Sequence, residues 1–301
     1  MAEQYHDPVL LQESVEALQI NPQGIYIDAT YGGGGHSKQI LNKLNTGRLI
    51  AFDQDADAFA NKIADARLTL VHDNFGNVFH HAEELNCIPV QGILADLGIS
   101  SHQINKAERG FSTRFEARLD MRMDQRSKFS ALHVINEYSE KDLVNVFSTY
   151  GEIRNSKLLA AAIVKARVVK PIETTGDLKS AIKHCIPFNK EHQYLAQVFQ
   201  SLRIEVNGEM KVLKQFLEDS CEVLDQNGRL VVISYHSLED RMVKNMMLTG
   251  NVSGTVEKDI YGNTVGAKFR MLTRKAIVPD EEEIARNPRS RSAKMRIAEK
   301  I

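Results

Sequence analysis

The chain has 301 residues, 43 % of them apolar and 26 % charged, and its formal net charge is −1. This composition is typical of globular proteins and permits a sizeable core in one large domain or two modest ones. The longest plainly apolar run, 158–164, is too short to span a bilayer, and the polar, acidic first twenty residues lack a signal pattern. We therefore expect a soluble, cytoplasmic protein with no membrane partner.

The first hundred residues alternate short apolar runs with helix-like stretches. Strands are predicted over 24–30, 48–53, 68–73 and 90–98, and helices over about 37–44 and 56–64. Strand–helix alternation at this spacing implies right-handed crossovers. The sequence therefore predicts an α/β fold with a parallel sheet covered on both faces.

The alternation stops near residue 103, and no convincing strand follows before residue 224. Helices are predicted over 139–150, 157–167, 176–185, 193–206 and 210–224. A buried strand over 228–236, a helix over 238–247 and a last strand pair within 268–273 and 293–298 complete the chain. The pattern predicts an α/β domain formed by residues 1–104 and 206–301, interrupted by a helical insertion at 105–205 for substrate recognition.

The loop from Asp28 to His36 contains four consecutive glycines between a strand and a helix. A P-loop would require Gly-Lys-Ser/Thr at its end, and the dinucleotide fingerprint GxGxxG fails because Ser37 or Lys38 stands at its third glycine. An acid at a strand end followed by a glycine cluster suits S-adenosylmethionine, whose group near the loop is an amino acid. Asp53 ends the second strand and can accept hydrogen bonds from both ribose hydroxyls, which supports an adenosine ligand without excluding NAD.

The fourth strand ends at Asp96, on the edge of the sheet where ligands of open α/β folds bind. An acid at this place could accept an N–H of an exocyclic amine. The lone pair of such an amine, as in cytosine, is delocalised into the ring, so the amine is a poor nucleophile. An acid that accepts its N–H helps to direct the lone pair at a methyl donor. Asp96 is the candidate for this role, and a strand-end capping acid is the structural alternative.

Seven segments, taken together and in this order, resemble one family. They are YIDATYGGGGHS (26–37), AFDQD (51–55), ILADLGISSHQ (93–103), ERGFS (108–112), LDMRMD (119–124), ISYHSLEDR (233–241) and NPRSRSAKMRIAEK (287–300). They are similar to the bacterial 16S rRNA (cytosine-N4)-methyltransferases of the MraW type, over nearly the whole chain. The resemblance implies a class I S-adenosylmethionine-dependent methyltransferase fold with an inserted helical domain. It also implies methylation of a cytidine in the decoding region of small-subunit RNA.

The resemblance also implies a set of cofactor contacts. They fall on Gly34, Gly35, His36, Asp53, Phe75, Asp96 and Gln103. Departures from the family pattern are small: Ala29 and the four glycines vary the loop, and Tyr235 stands where phenylalanine is expected. The stretch from Asp96 to Ile99 replaces the Pro-Pro-aromatic motif of related amino-methyltransferases, which leaves open which group holds the amine.

Arg114, Arg118, Arg122 and Arg126 recur at every fourth position and would form a stripe on a helix. They are interpreted either as a salt-bridged surface turn or, as the resemblance favours, as an active-site lid whose arginines meet RNA phosphate. The substrate contacts predicted there are Arg114, Arg118 and Arg122.

A second basic segment, at 287–300, is also predicted to meet the RNA backbone, and its substrate contacts are Arg289 and Arg291. His236, after the fifth strand, is the second candidate catalytic residue, with a structural role equally open. Ser237 is predicted to cap the following helix.

Three widely spaced cysteines, Cys87, Cys185 and Cys221, form no CxxC pair, which favours buried thiols over a metal or redox site. No metal is predicted, and methyl transfer is expected to be direct because no cysteine is placed to attack a base. We expect 16S rRNA as the partner, within a small ribosomal subunit or its precursor, and allow for a homodimer. An NAD-dependent oxidoreductase, a non-catalytic RNA-binding or assembly factor, and a methyltransferase for DNA or small molecules remain as alternatives.

Overall fold

A computed structural model describes residues 8–259 and 264–301 of the chain. The chain forms two compact units, which we call the sheet unit (Met1–Gly98 with Met210–Ile301) and the helical unit (Ile99–Glu209). The predicted insertion at 105–205 falls within the helical unit. Among the described residues, no helix has both the length and the apolar character needed to cross a bilayer.

The first part of the sheet unit alternates strands and helices, as predicted. Its elements are α1 (Leu11–Ala17), β1 (Ile25–Asp28), α2 (Gly35–Lys43), β2 (Arg48–Phe52), β3 (Leu68–Val71), α3 (Val78–Glu84) and β4 (Val90–Asp96). The predicted helix over 56–64 is instead a short 3-10 helix, Ala56–Asn61. The Ala58 N–H donates to the Asp55 carbonyl three residues earlier, a bond that tightens the turn and does not propagate far.

The helical unit contains no strand element in its described residues, in agreement with the sequence pattern. Its helices are α4 (Ser101–Asn105), α5 (Ala131–Glu137), α6 (Glu140–Thr149), α7 (Ser156–Val169), α8 (Thr175–Ile182) and α9 (Glu191–Asn207). They enclose a core of their own, in which Leu143, Phe147 and Leu159 are fully buried. This core and the core of the sheet unit are separate clusters of buried side chains.

The stretch 111–126, for which the sequence left an arginine stripe on a helix and a salt-bridged turn open, is an irregular segment of turns. The Asp120 carboxylate accepts the N–H of Arg122 (3.0 Å), and the Asp124 carboxylate accepts the N–H of Arg126 (2.9 Å). Each aspartate thus closes a local turn two residues ahead, which competes with the bonds of a helix.

The chain then returns to the sheet unit. The remaining elements are α10 (Glu209–Val223), β5 (Leu224–Ser234), α11 (Ser237–Thr249), β6 (Glu257–Lys258), β7 (Thr264–Val265), β8 (Phe269–Met271), α12 (Glu281–Arg286) and β9 (Lys294–Lys300). The seven-stranded sheet has the order β3-β2-β1-β4-β5-β9-β8. Strands β1 to β5 are parallel, and β9 runs antiparallel to both β5 and β8. The predicted parallel sheet is therefore confirmed for its first five strands, and its carboxyl edge collects the ends of β1, β2, β4 and β5.

Candidate active site

Polar side chains follow four neighbouring parallel strands at the carboxyl edge of the sheet. Asp28 ends β1, Asp53 follows β2, Asp96 ends β4 and Tyr235 follows β5. Asp28 pairs in register with Leu94, and Asp96 pairs with Ile233, so the strand ends are nearly level. The apolar strands bury their own side chains in the core and leave these polar groups together at one edge, where open α/β folds bind ligands.

The glycine loop follows β1 and therefore lies at this edge. Two of its glycines leave no room for a larger side chain. Gly34 has φ 75°, and a Cβ there would lie 2.8 Å from the Tyr31 hydroxyl; a Cβ at Gly35 would lie 2.4 Å from Pro8. Gly34 is also the N-cap of α2 and has no side chain to cap the helix, while the Asp28 carboxylate interacts with the Ser37 N–H of the first turn. The helix therefore begins with its positive end close to the carboxylates, a position suited to the carboxylate of an amino acid.

Asp53 is tied to the loop by hydrogen bonds. Its Oδ2 accepts the Gly32 N–H (2.8 Å), and its Oδ1 accepts the Asp55 N–H (2.9 Å). Desolvation raises the pKa of Asp53 to about 6, against the opposite effect of these two bonds. Each carboxylate oxygen keeps a second lone pair, so the oriented group can still accept a pair of ribose hydroxyls.

Asp96 lies in a cluster of polar groups formed by Tyr235 and His36. Its Oδ1 accepts the Tyr235 hydroxyl (2.7 Å), and its Oδ2 lies 4.0 Å from His36 Nδ1. The other ring nitrogen of His36 donates to the Val9 carbonyl (3.1 Å), which holds the imidazole in place. Desolvation raises the pKa of Asp96 to about 6, while His36 and the Tyr235 bond oppose the shift. The Asp96 side chain is still 16 % exposed, so a ligand can reach it.

His236 has a structural role and an unsatisfied atom. Its Nδ1 accepts the Glu239 N–H (3.4 Å), and Glu239 Oε2 accepts the His236 N–H in return. The N-cap of α11 is therefore His236, and the prediction of Ser237 is wrong by one residue, since the ring competes successfully for the first-turn amide. The His236 Nε2 is buried and has no hydrogen-bond partner, although Glu239 Oε1 lies 3.1 Å away. A buried polar atom without a hydrogen-bond partner requires an explanation, and a ligand that bonds to it would be one.

Phe75 and Gln103 are the other two predicted cofactor contacts. Phe75 begins a 3-10 helix after β3 and packs edge-on against Phe216, with 5.2 Å between ring centroids. Gln103 belongs to the helical unit, where its side chain accepts the Ser100 N–H in a capping box at the start of α4. The contacts of both residues with the cofactor stay predictions.

The predicted substrate arginines differ in their surroundings. Arg114 and Arg118 are exposed, whereas Arg122 is half-buried and forms two bonds of 2.7 Å with Asp120. Arg122 thus follows the interpretation of a salt-bridged turn and not that of a free helical stripe. Arg289 and Arg291 lie in the short helix Pro288–Ser292, directly before β9, with Arg291 exposed.

The sequence analysis did not predict the contacts of two groups of this site. Asp28, which it noted as the strand-end acid before the glycines, is fully buried and accepts the Ser37 hydroxyl (2.6 Å). Tyr235 was noted only as a departure from phenylalanine, and its bond to Asp96 joins residues 139 positions apart. The three cysteines are free and buried, as predicted.

The polar groups at this edge fit S-adenosylmethionine. Asp28, Asp53 and Asp96 place three carboxylates at one edge, and a cationic ligand relieves their mutual repulsion. The sulfonium and ammonium groups of S-adenosylmethionine supply such charge, whereas the pyrophosphate of NAD adds negative charge. The N-terminus of α2 completes the set with a place for the ligand's carboxylate.

Comparisons with known proteins agree with this geometry. The profile of the MraW methylase family matches residues 3–301. The ribosomal RNA small subunit methyltransferase H of Flavobacterium johnsoniae is 53 % identical over 299 residues, covering 99 % of this chain and 98 % of the relative. The protein of the same name from Phocaeicola vulgatus is 54 % identical over 297 residues, covering 98 % and 97 %. Among solved structures, an rRNA methylase from Streptococcus thermophilus aligns over 97 % of this chain and 93 % of its own, with 13 % identity and a TM-score of 0.40.

The predicted class I methyltransferase fold is confirmed, with five parallel strands and an antiparallel β9 beside β5. S-adenosylmethionine is confirmed as the cofactor of this methyltransferase. The match extends from one end of the chain to the other and includes every segment that the sequence analysis compared with known methyltransferases. The chain belongs to the MraW methylase family.

Proposed function

We propose that this chain transfers a methyl group from S-adenosylmethionine to the N4 amine of a cytidine in the decoding region of 16S rRNA. Small-subunit ribosomal RNA as the substrate is supported by the names of the relatives. One observation carries the choice of an amine: Asp96 is a mostly buried carboxylate, 16 % exposed, at the ligand edge of the sheet. Such a group can accept the N–H of a weakly nucleophilic amine and take up its proton.

The bound cofactor supplies a methyl group on a positively charged sulfur. Asp53 is placed to hold the ribose hydroxyls, and the glycine loop lets the backbone approach the amino-acid portion. Asp96 in its ionised form accepts an N–H of the target amine, which aligns the nitrogen lone pair with the methyl carbon. As the N–C bond forms, the electrons of the S–C bond pass to sulfur, and Asp96 takes the proton from nitrogen.

His236 is proposed to orient the base. Its Nδ1 accepts a backbone N–H, so in the neutral ring Nε2 carries the proton and is a donor. This donor is buried and without a hydrogen-bond partner, and a carbonyl such as that of cytosine would satisfy it.

The proposal is tested by nucleoside mass spectrometry of 16S rRNA from a strain that lacks this protein. Expression of the wild-type chain should restore N4-methylcytidine at one decoding-region position, and Asp96→Asn should not. Restoration of a different modification, at a ring carbon or a ribose oxygen, would overturn the amine assignment. Restoration of N4-methylcytidine by Asp96→Asn would overturn the role of Asp96 as the proton acceptor.

The affinity for the cofactor is expected to fall with acid. Desolvation raises the pKa of both Asp53 and Asp96 to about 6, and the bound state needs their ionised forms. Below that pH each protonated group must release a proton before binding, so the affinity falls by up to about tenfold per pH unit for each group. Calorimetry with S-adenosylhomocysteine, whose own groups do not titrate between pH 5 and 7, should show constant affinity from pH 7.5 to 6.5 and a steep loss by pH 5. A flat profile would contradict this linkage.

Substitutions of two arginines in the turn segment 111–126 are expected to affect different properties. One should weaken RNA binding, and the other should lower the stability of the fold. Arg118→Ala removes an exposed charge and should weaken RNA binding about two- to fivefold. The slope of the logarithm of the binding constant against the logarithm of the salt concentration should become shallower by about one. Arg122→Ala breaks the paired turn at Asp120 and should lower the melting temperature of the protein. Filter binding across salt concentrations and thermal melts check both variants; an unchanged salt slope for Arg118→Ala would remove it from the interface.

A further inference from the structure

We propose that Tyr235 is a positioning residue: its hydroxyl holds one oxygen of Asp96, so that the other oxygen is presented to the target amine. The inference rests on the proposed function, in which Asp96 accepts the N–H of the amine. It adds a residue that does not touch the substrate and acts through Asp96.

Tyr235 is itself held firmly. Its backbone N–H donates to Glu239 Oε2 (2.9 Å), which anchors the residue between β5 and α11. Burial and the nearby Asp96 carboxylate raise the pKa of Tyr235 well above its ordinary value, so the phenol stays protonated throughout the working pH range. A protonated phenol has one proton to donate, and here it is directed at Asp96 Oδ1, 2.7 Å away.

The two oxygens of Asp96 are therefore unequal. Oδ1 is engaged by Tyr235, whereas Oδ2 lies 4.0 Å from His36 Nδ1, too far for a hydrogen bond. The carboxylate plane is set by one short bond, and Oδ2 keeps its capacity to accept an N–H from a ligand. Without the phenol, the carboxylate could rotate about its terminal torsion, which has broad minima.

The same bond favours the ionised form of Asp96. The titratable groups that act on Asp96 are His36 on α2, Asp28 on β1, Glu239 on α11 and Tyr235 itself. His36 and the Tyr235 hydrogen bond favour the carboxylate, while Asp28 and Glu239 oppose it. Loss of the phenol hydroxyl removes a favourable contribution, so Asp96 would hold its proton to a higher pH.

The test is Tyr235→Phe, which keeps the ring and removes only the hydroxyl. The pH profile of kcat/KM for methyl transfer to small subunits is measured from pH 5 to 9. We expect the acid limb to move up by about one pH unit, giving a loss of about fivefold at pH 6, about tenfold at pH 5 and less than about threefold at pH 8.5. The matched control is Tyr26→Phe, which removes a buried hydroxyl of the same unit that accepts the Asn21 N–H and should leave the limb in place.

Asp96→Asn tests the role of Asp96 separately from the role of Tyr235. If Asp96→Asn retains the activity and the acid limb of the wild type, the proposed role of Asp96 fails and the role of Tyr235 fails with it. If Asp96→Asn is inactive while Tyr235→Phe is unchanged, or loses activity by the same factor at every pH, the positioning role alone is overturned. Thermal melts establish that each variant is folded.

Discussion

Asp96→Asn is expected to lower kcat/KM for methyl transfer by about 10²- to 10⁴-fold, the usual contribution of a positioned general base. Asparagine matches the size of the carboxylate and can still accept the Tyr235 hydroxyl, so the local packing is preserved. It cannot take up the proton that leaves the amine nitrogen. The measurement is transfer of a labelled methyl group to small subunits isolated from cells that lack the modification.

A matched substitution distinguishes this effect from a general loss of charge. Asp219→Asn alters an aspartate on α10 of the same unit, where its partner is Gln215 on the same helix. It should leave kcat/KM within about twofold, as surface substitutions usually do. Activity of Asp96→Asn within tenfold of the wild type would mean that water or another group accepts the proton.

Asp53→Asn is expected to weaken binding of S-adenosylhomocysteine by about 10- to 100-fold, since hydrogen bonds to a charged acceptor contribute about 1.5–3 kcal/mol each. Its effect on the unliganded protein should be small, within about 1 kcal/mol. Because desolvation raises the folded-state pKa of Asp53, its ionisation costs stability as the pH rises through about 6. A neutral asparagine avoids this cost but loses one of the two acceptors for the Gly32 and Asp55 amides.

The control for Asp53 lies beyond the neighbouring strand. Asp73 follows β3 and pairs with His81 (2.8 Å), a bond that lowers the pKa of Asp73. Asp73→Asn should therefore leave ligand affinity unchanged while reducing stability above the pH at which this carboxylate normally ionises. Calorimetry and denaturant unfolding at pH 7.5 measure both quantities. Equal losses of affinity in the two variants would show that overall charge, and not contact with the ribose, controls binding.

The local chemistry of the sheet unit could be read from the sequence. The apolar runs over 24–30, 48–53 and 90–98 predicted strands that the structure confirms as β1, β2 and β4. Asp53 and Asp96 end or follow such runs, and parallel strands bring their carboxyl ends to one edge. The failure of two nucleotide-binding patterns in the glycine loop already favoured S-adenosylmethionine. Hydrophobic periodicity and residue type are local properties, so the strands and the acids at their ends can be predicted without knowledge of distant contacts.

The sequence was less decisive where side chains compete with the helical backbone. The arginine spacing over 114–126 was compatible with a helix or a salt-bridged turn, and Asp120 and Asp124 bond the amides two residues ahead and close turns. Near α11, Ser237 carries the commonest capping side chain, yet the imidazole of His236 and the carboxylate of Glu239 form the capping box. The free-energy differences between such alternatives are about 1 kcal/mol, which the surrounding packing readily overrides.

By itself, then, the sequence determined the fold class, the cofactor and the acids at the strand ends, because these depend on strand periodicity and on motifs contained in short segments. Only the tertiary structure decided which groups act on those acids. The Tyr235 hydroxyl meets Asp96 because β5 pairs with β4 across 139 residues of chain, a register that no local pattern specifies. The raised pKa values of Asp53 and Asp96 likewise follow from desolvation by the assembled sheet unit, and desolvation exists only when distant segments exclude water together.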